Sequence, residues 1–496
     1  MEMARRRFLI GGAAFGSFMG GRFFAAPIGW KPSGKPNLTF GVISDTHIRT
    51  MSTSGRIDSK WSAKYLAKAL SYFRDENVDA VVHCGDFAHL GQLEEMQAHA
   101  DVWKCVFPDN RAPDGHEVVK LFVTGNHEEL GAIQGGGDGA FVRRLYPDQN
   151  EWRKHVLAID MAEKWKHVWG EDFSAAWHKQ VKGYNFFGMQ WGVESKAIAD
   201  LIDESIDGKR SEGVRRRSEK SRSKQPFFVL RHDYPDLALR RRMAAHPNAV
   251  GFFGHLHYSI ANWQKIYFSG GMPWIQVPSC HSRGYPGLRD LDPLLSETKI
   301  EGAEEAGSIR ARQGMVVKVY DDMMVVERLE FSEGGSLGPD WVMPFGKHAP
   351  HPLSRERLME VIGKPEFRNG ARLEICNCDD GQVLQRQDTE TGKGDKESGM
   401  QRSAVRIRIP LADGNPNSRV YAYEVTVSGG GKSQKLVKTV YAAGCNMGVG
   451  HEPNGGVTTL EIPGPELPAG RNLTVSVRPK TSLGTAGRQI SSRFKA

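Results

Sequence analysis

Residues 40–47 read Phe-Gly-Val-Ile-Ser-Asp-Thr-His, a short apolar run that stops on an Asp-x-His pair. The apolar part predicts a buried strand, and Asp45 and His47 fall where that strand gives way to a loop. Side chains two apart on extended backbone point to the same side, so this carboxylate and this imidazole are expected to face a common point. A motif this short also arises by chance, and its weight therefore depends on the rest of the chain.

Four further clusters of polar residues follow, each at the end of a predicted apolar strand. In chain order they are Gly85-Asp86, Gly125-Asn126-His127-Glu128, His232 and Gly254-His255-x-His257. In α/β sheets ligands bind at the carboxyl ends of the strands, which is where these residues fall. The glycine before Asp86 allows the backbone to turn sharply there. The five clusters together predict one site at one edge of the fold.

The side chains in these clusters are carboxylates, imidazoles and one carboxamide, with no thiolate. That mixture suits borderline or hard divalent and trivalent ions such as Mn, Fe, Zn or Co. Two such ions about 3.5–4 Å apart can clamp phosphate oxygens and bind a water, so that a metal-bound hydroxide attacks phosphorus. A histidine that titrates near neutrality can then give a proton to the leaving oxygen. The composition of the site therefore predicts metal binding, and paired ions with a proton-donating histidine are a chemistry that such side chains can provide.

The length of 496 residues predicts two or three domains, and a composition of 39% hydrophobic and 25% charged residues is globular. The net charge is +8, but four arginines and one glutamate in the first 26 residues account for +3 of it. The rest of the chain is mildly basic, which slightly favours anionic partners and leaves nucleic acid as a disfavoured partner. Six cysteines are too few for a disulfide scaffold.

The first 26 residues have the features of a targeting segment. Three arginines at 5–7 lead into Phe8-Leu9 and a glycine-rich apolar stretch that ends at Ala25-Ala26. This pattern resembles the twin-arginine export signal. Glycines and Arg22 interrupt the apolar run well short of a membrane span. We therefore expect a cleaved signal peptide, a periplasmic or secreted protein, and no membrane span after signal removal.

Strand and helix patterns alternate over the first two thirds of the chain, which predicts an α/β domain. The predicted strands after the first are 79–84, 118–123, 183–191, 226–232 and 249–257, and the predicted helices are 59–73, 93–107 and 150–180.

The pattern changes near residues 339–352, beyond which helical periodicity largely stops. Predicted strands at 405–409, 420–428, 457–462 and 473–477 lie between Gly, Asn and Pro turns. This spacing predicts an antiparallel sandwich of immunoglobulin or fibronectin type III form. The predicted organisation is a signal peptide at 1–26, an α/β domain at 37–346, a linker at 347–366 and a smaller all-β sandwich at 367–496.

The five strand-end clusters, in this order, resemble the motif blocks of the calcineurin-like metallophosphoesterase superfamily. The resemblance covers about residues 38–257. It implies two packed mixed β-sheets flanked by helices and the activity of a metal-dependent phosphoric ester hydrolase. It also implies one ion on Asp45, His47, Asp86 and His257, a second ion on Asn126, His232 and His255 with Asp86 as the bridge, and His127 as the acid/base residue.

The motif residues of this chain differ from those of several other members of the superfamily, and these differences limit the substrate classes that we expect. Protein phosphatases carry Gly-Asp-x-x-Asp-Arg-Gly, in which the second Asp supports the catalytic histidine, whereas His89 stands at that position here. Purple acid phosphatases have Gly in place of His47 and use a Tyr ligand. Secreted nucleotidases continue the Gly-Asn-His-Glu block with Phe-Asp, whereas Glu129-Leu130 follow here. Cyclic-nucleotide and other small phosphodiesterases share the Asp-x-His start and stay compatible.

The leading hypothesis is an exported dinuclear phosphoesterase that acts on a small phosphate ester. One alternative is a phosphodiesterase on cyclic nucleotides or nucleic acid, for which the basic run at 207–224 is weak support. Another is a non-catalytic binding module on the same fold, which is disfavoured because no ligand is missing. The C-terminal domain is interpreted as a spacer, a lid support or a contact to cell wall or glycan. Among the histidines that match no motif block, four are interpreted as core or surface residues, with His281 at the rim of the site: His83, His89, His178 and His281.

Overall fold

The computed structural model describes residues 32–49, 59–89, 91–130, 160–206, 225–261, 265–269, 272–281, 300–301, 312–346, 351–361, 363–378, 404–414, 419–429 and 435–495. The predicted signal peptide at 1–26 and the basic run at 207–224 lie outside these residues. The glycine-rich stretch at 131–139 and residues 150–159 of the predicted third helix lie outside them as well.

The first of two six-stranded sheets is built around the strand that precedes Asp45. It contains β1 (Leu38–Ile43), β2 (Ala80–Cys84), β3 (Val119–Val123), β11 (Gln313–Val319), β12 (Met323–Glu330) and β13 (Trp341–Pro344). The order across this first sheet is β13-β12-β11-β1-β2-β3. Strands β1, β2 and β3 are parallel, and β11 is antiparallel to β1, so the sheet is mixed. The parallel strands bring the ends of β1, β2 and β3 to the same edge.

The second sheet has the same number of strands. It contains β4 (Ala176–Val181), β5 (Tyr184–Met189), β6 (Phe227–Arg231), β7 (Ala249–Phe253), β8 (Ile266–Ser269) and β9 (Met272–Gln276). The order is β4-β5-β6-β7-β9-β8, with β5, β6, β7 and β9 parallel. The ends of β6 and β7 therefore share one edge as well.

The two sheets pack face to face over one apolar core. Phe40 of β1 lies 5.4 Å from Phe186 and 5.1 Å from Phe228 of the second sheet, measured between ring centroids. Buried parallel strands read as continuous apolar runs, which is why these segments were predictable as strands. The predicted fold class, a two-sheet α/β sandwich flanked by helices, is confirmed. The described helices are α1 (Ser59–Asp75), α2 (Leu93–Val106), α3 (Asn126–Leu130), α4 (Met161–Trp169), α5 (Ser195–Ser205), α6 (Leu237–Met243) and α7 (Arg355–Val361).

The prediction of a helix over 150–180 is wrong at its end. Residues Met161–Trp169 are helical, but Ala176–Val181 is strand β4, antiparallel to β5. The indole of Trp177 lies over Gly188 of β5, where a Cβ would overlap the ring. Pairing with β5 and this packing outweigh the local pattern, as tertiary context often does.

The C-terminal region consists of strands in small, mostly antiparallel sheets. The strands are β14 (Glu366–Phe367), β15 (Glu374–Cys378), β16 (Ala404–Ile409), β17 (Ala412–Asp413), β18 (Val420–Ser428), β19 (Lys435–Tyr441), β20 (Thr458–Ile462), β21 (Asn472–Thr481) and β22 (Ile490–Lys495). A short strand from before β11 in the chain, β10 (Ile300–Glu301), pairs with β19. A five-stranded sheet (β10-β19-β18-β21-β22) and a three-stranded sheet (β15-β16-β20) enclose a common apolar core. Tyr421, Tyr423, Val425 and Val427, which alternate along β18, are all buried. A smaller all-β region after the α/β domain is thus confirmed.

The C-terminal region is packed against the α/β part. Leu353 and Leu358, from the segment predicted as a linker, share the α/β core with Leu483 of the C-terminal region. Gln313 of β11 donates from Nε2 to the carbonyl of Asn446 at 2.7 Å. The two parts therefore contact each other through both apolar and hydrogen-bonded groups.

Within the part of the chain that the structure describes, no helix combines the length and the apolar character that a bilayer crossing needs. The six cysteines are free thiols.

Candidate metal centre

The seven predicted metal ligands lie at the carboxyl ends of β1, β2, β3, β6 and β7, and five of them have positive φ. The values are 52° for Asp45, 41° for His47, 59° for Asp86, 71° for His255 and 56° for His257. Residues other than glycine rarely adopt this conformation, and it concentrates at functional sites. The assumption of extended backbone at Asp45 and His47 was therefore wrong, and the two histidines after β7 have the same left-handed conformation. Sharp turns bring these side chains inward.

The first group of converging side chains consists of Asp45, His47, Asp86 and His257, whose ligand atoms lie within 4.8 Å of one another. His257 Nε2 is 2.9 Å from Asp45 Oδ1 and 3.1 Å from His47 Nε2. Burial alone would raise the pKa of Asp45. The imidazoles of His257 and His47 outweigh it and hold that pKa well below its usual value.

The second group consists of Asp86, His232 and His255, again with ligand atoms within 4.8 Å of one another. The amide oxygen of Asn126 joins it, 3.0 Å from His232 Nε2 and 3.1 Å from His255 Nδ1. His255 and His257 thus belong to different groups although only one residue separates them. The structure brings all seven predicted ligands together in these two groups.

Asp86 is the side chain that the two groups share. Its Oδ1 accepts the main-chain N–H of His127 at 3.0 Å. Its Oδ2 is 3.5 Å from His47 Nε2 and 3.2 Å from His232 Nε2. One oxygen is therefore fixed by the main chain, and the other lies between the two groups.

The donor atoms of the second group fit a cation. His232 Nδ1–H donates to the carbonyl of Cys84 at 2.6 Å, so Nε2, which carries a lone pair when the ring is neutral, faces the oxygens of Asn126 and Asp86. Lone pairs in this arrangement repel each other unless a positive charge lies among them. Burial lowers the pKa of His232, but the charges of Asp86 and Asp45 outweigh burial and raise it to about 10. The surrounding carboxylates thus favour a positive charge at this point, which a metal ion would supply.

The match to a known family agrees with this geometry. Residues 38–259 match the family model described as calcineurin-like phosphoesterase. This part of the chain is a calcineurin-like phosphoesterase domain. This family match confirms the prediction that the protein is a metal-dependent phosphoesterase.

Similar solved structures include three from different organisms. A dimetal phosphatase from Danio rerio is 15% identical, with 63% of this chain and 100% of that chain covered and a TM-score of 0.32. A purple acid phosphatase from yellow lupin is 13% identical, with 63% and 55% covered and a TM-score of 0.35. A conserved protein from Streptococcus pneumoniae, described as a predicted phosphoesterase, is 13% identical, with 62% and 97% covered and a TM-score of 0.26. A search of curated proteins finds no match to this chain.

Glu128 holds the turn of the phosphoesterase domain that carries Asp86. Its Oε2 accepts the N–H groups of Asp86 and Gly125 at 2.9 and 2.7 Å, and its Oε1 accepts that of Ala88 at 2.9 Å. The side chain is 1% exposed. The role of Glu128 was not predictable from its motif block, because hydrogen bonds to three main-chain groups leave no trace in the spacing of residues along the sequence.

His127 lies in the first turn of α3, beside the first group of ligands. Its ring centroid is 4.6 Å from that of His47. Its Nδ1 donates to the carbonyl of His89 at 2.6 Å, which leaves Nε2 for proton exchange. The carboxylate that supports this histidine in protein phosphatases is replaced here by a main-chain carbonyl.

Three of the four histidines interpreted as core or surface residues adjoin the centre. His83 Nδ1 accepts the N–H of Gly85, and His83 Nε2 contacts Thr46 Oγ1, both at 3.2 Å, so this imidazole connects the turns after β1 and β2. The rings of His89 and His281 lie 5.5 and 5.4 Å from that of His47. His178 lies away from the centre and contacts Asn185 at 2.8 Å, as a structural histidine would.

The other flank of the domain's metal centre is aromatic. Trp191 follows β5, and its ring centroid lies 5.7 Å from His232 and 5.9 Å from His255. The centre therefore has an imidazole-rich side near His127 and an aromatic side near the second group.

Proposed function

We propose that the protein hydrolyses small phosphate esters at a dinuclear metal centre. The observation that supports this most directly is the position of Asp86 Oδ2, between His47 Nε2 and His232 Nε2. A carboxylate that faces two groups of imidazoles is suited to bridge two ions. Paired ions are a common means of phosphate-ester hydrolysis.

In this proposal each group of side chains holds one ion of the transition series, such as Mn, Fe, Zn or Co. The first ion would be held by Asp45, His47, Asp86 and His257, and the second by Asp86, Asn126, His232 and His255. When bound, the ions polarise the phosphate and activate the attacking water.

His127 is the proposed proton donor to the leaving oxygen. Because its Nδ1–H is used on the carbonyl of His89, the proton it exchanges is the one on Nε2. Cleavage breaks the bond between phosphorus and the ester oxygen, and that oxygen takes the proton from Nε2. General acid catalysis of this kind contributes about 10²–10⁴ in rate.

The test is a panel of Mn, Fe, Zn and Co with p-nitrophenyl phosphate beside bis-p-nitrophenyl phosphate. The proposal expects metal-dependent turnover of at least one ester and two ions per chain by elemental analysis. A protein that binds two ions and cleaves neither ester would instead be a binding module on the same fold.

We propose further that the protein is exported by the twin-arginine route. The support is the sequence of residues 5–9, Arg-Arg-Arg-Phe-Leu, before a short apolar stretch. Because Arg7 could replace a neighbour in the signal, all three arginines should be changed to lysine together. Export with removal of the leader in that variant would contradict the proposal, and cytoplasmic accumulation of the full-length chain is expected.

For the C-terminal region we propose an immunoglobulin or fibronectin type III-like sandwich that contacts cell wall or glycan. The two sheets over one core support the form, and export would place the region near such polymers. Sedimentation of the mature protein with purified peptidoglycan tests the contact, and recovery of all the protein in the supernatant would argue for a spacer.

A further inference from the structure

A second set of buried side chains adjoins the metal centre on the His127 side. Arg49, His89 and His281 are only 5%, 9% and 7% exposed. The rings of His89 and His281 both lie within 5.5 Å of the His47 ring. Arg49 and His89 are both close enough to His281 to influence it electrostatically, so the three lie together. We call these three residues the Arg49 pocket.

The hydrogen bonds of this pocket fix the protonation of His89. Arg49 Nη2 is 3.3 Å from His89 Nδ1, and a guanidinium can only donate. Nδ1 of His89 is therefore an acceptor, and its neutral imidazole carries the proton on Nε2. The main-chain carbonyl of His89 meanwhile accepts from His127. His89 thus orients the proposed proton donor through its backbone and offers an N–H donor through its side chain.

The same arrangement argues against a third metal ion. His47, His89 and His127 have ring nitrogens within 4.8 Å of one another, which is a spacing that three ligands could have. However, His89 Nδ1 already accepts from Arg49, and its Nε2 is protonated. A permanent guanidinium charge 3.3 Å from the ring also repels a cation. Hydrogen-bond donors and a fixed positive charge suit an anion.

We propose that the Arg49 pocket binds the terminal oxygens of a phosphomonoester, and that monoesters are the substrate class of this enzyme. This inference rests on the proposed phosphoesterase function. A monoester has three terminal oxygens that share up to two negative charges. A diester has two such oxygens with one charge. Its second organic group would lie against the guanidinium of Arg49 and would displace the water that solvates the guanidinium. Since an imperfectly solvated charge is costly, the pocket discriminates against diesters.

Binding of two non-reacting anions to the metal-loaded mature protein tests the pocket apart from turnover. Isothermal titration calorimetry would compare methylphosphonate, as the monoester analogue, with dimethyl phosphate, as the diester analogue. Charge-assisted hydrogen bonds are worth enough that Arg49→Gln is expected to weaken methylphosphonate binding about 10- to 100-fold. Dimethyl phosphate binding is expected to change less than about twofold, because this diester has fewer terminal oxygens to contact the Arg49 pocket.

His89 supplies a second pair of variants. Both His89→Ala and His89→Gln keep the main-chain carbonyl that orients His127, but only the glutamine keeps an N–H donor. The alanine variant is expected to bind methylphosphonate more weakly and the glutamine variant to recover part of the affinity. His178→Gln, outside the site, is the control. Elemental analysis should find two ions per chain in each variant, and Arg49→Lys replaces Arg49→Gln if the latter fails to fold.

Equal losses for both anions in Arg49→Gln and His89→Ala would overturn the inference and leave the phosphoesterase proposal intact. So would a wild-type protein that hydrolyses bis-p-nitrophenyl phosphate faster than p-nitrophenyl phosphate. If the wild type hydrolyses neither ester, the proposed function fails, and the monoester assignment fails with it, whatever the pocket binds.

Discussion

The two sheets of the phosphoesterase domain contribute to the metal centre in different ways. The first sheet provides both carboxylates and the carboxamide, and the turn with Asp86 is held by main-chain hydrogen bonds to Glu128. The second sheet provides His232, His255 and His257. These histidines are in turn oriented by the first sheet: His232 Nδ1 donates to Cys84 O, and the N–H of His255 donates to Asp45.

The two sheets therefore differ in the charge that they contribute. The negative charge that attracts ions comes from β1 and β2, where Asp86 serves both groups. The histidines of the second sheet divide between the groups and serve one each. A change at Asp86 or in its turn should therefore affect both ions, whereas a change at one histidine of the second sheet should affect one.

The largest effect on metal content is expected for Asp86→Ala. The proposed bridge is removed, and no other side chain in the two groups faces both, so both ions should be lost. Elemental analysis of the purified variant measures this, with circular dichroism as a check that it is folded. Full occupancy by two ions would show that neither group needs Asp86, and it would contradict the proposed difference between the two sheets.

His232→Ala should remove one ion and spare the other. His232 belongs only to the second group, and the first group keeps its four side chains. Titration of the metal-free variant should show one tight site where the wild type shows two. His178→Ala is the matched control, and loss of both ions would contradict the division between the sheets.

Glu128→Gln should weaken both ions without removing them. The amide nitrogen of glutamine cannot accept an N–H, so one side of the turn at Asp86 loses its support. Losses of support around a ligand typically cost roughly 10- to 100-fold in metal affinity. Competition with a chelator measures the change, and Glu129→Gln in the same helix is the control. A lower affinity for the second ion alone would mean that the turn at Asp86 supports only one of the two ion sites.

His127→Asn should leave the metal content unchanged. The contact with Asp86 comes from the main-chain N–H of residue 127, which any substitution except proline keeps. The value of kcat should fall by about 10²–10⁴ for alkyl phosphates, whose leaving oxygen needs a proton. The loss should shrink for p-nitrophenyl phosphate. Equal losses for both esters would argue against proton donation, and a missing ion would make His127 a ligand.

The strand ends and their polar residues were predictable because the strands are buried. A strand inside a two-sheet sandwich is apolar throughout, so Asp45 or His232 at its end stands out in the sequence. Local patterns failed where a partner strand decided the outcome. Trp177 lies in β4 because it pairs with β5 and packs over Gly188, although its segment fits a helix.

The sequence by itself determined which seven ligands meet at the centre, because each of them follows an apolar strand that is recognisable in the sequence. Only the tertiary structure decided how they meet. Asp45, which has a positive φ, accepts the main-chain N–H of His255 from the second sheet, and the carboxylate of Glu128 is fixed by main-chain N–H groups. His281 reaches the centre because Ser279 pairs with Ser44 from a distant part of the chain. Such contacts depend on three-dimensional packing, which has no signature in the spacing of residues along the sequence.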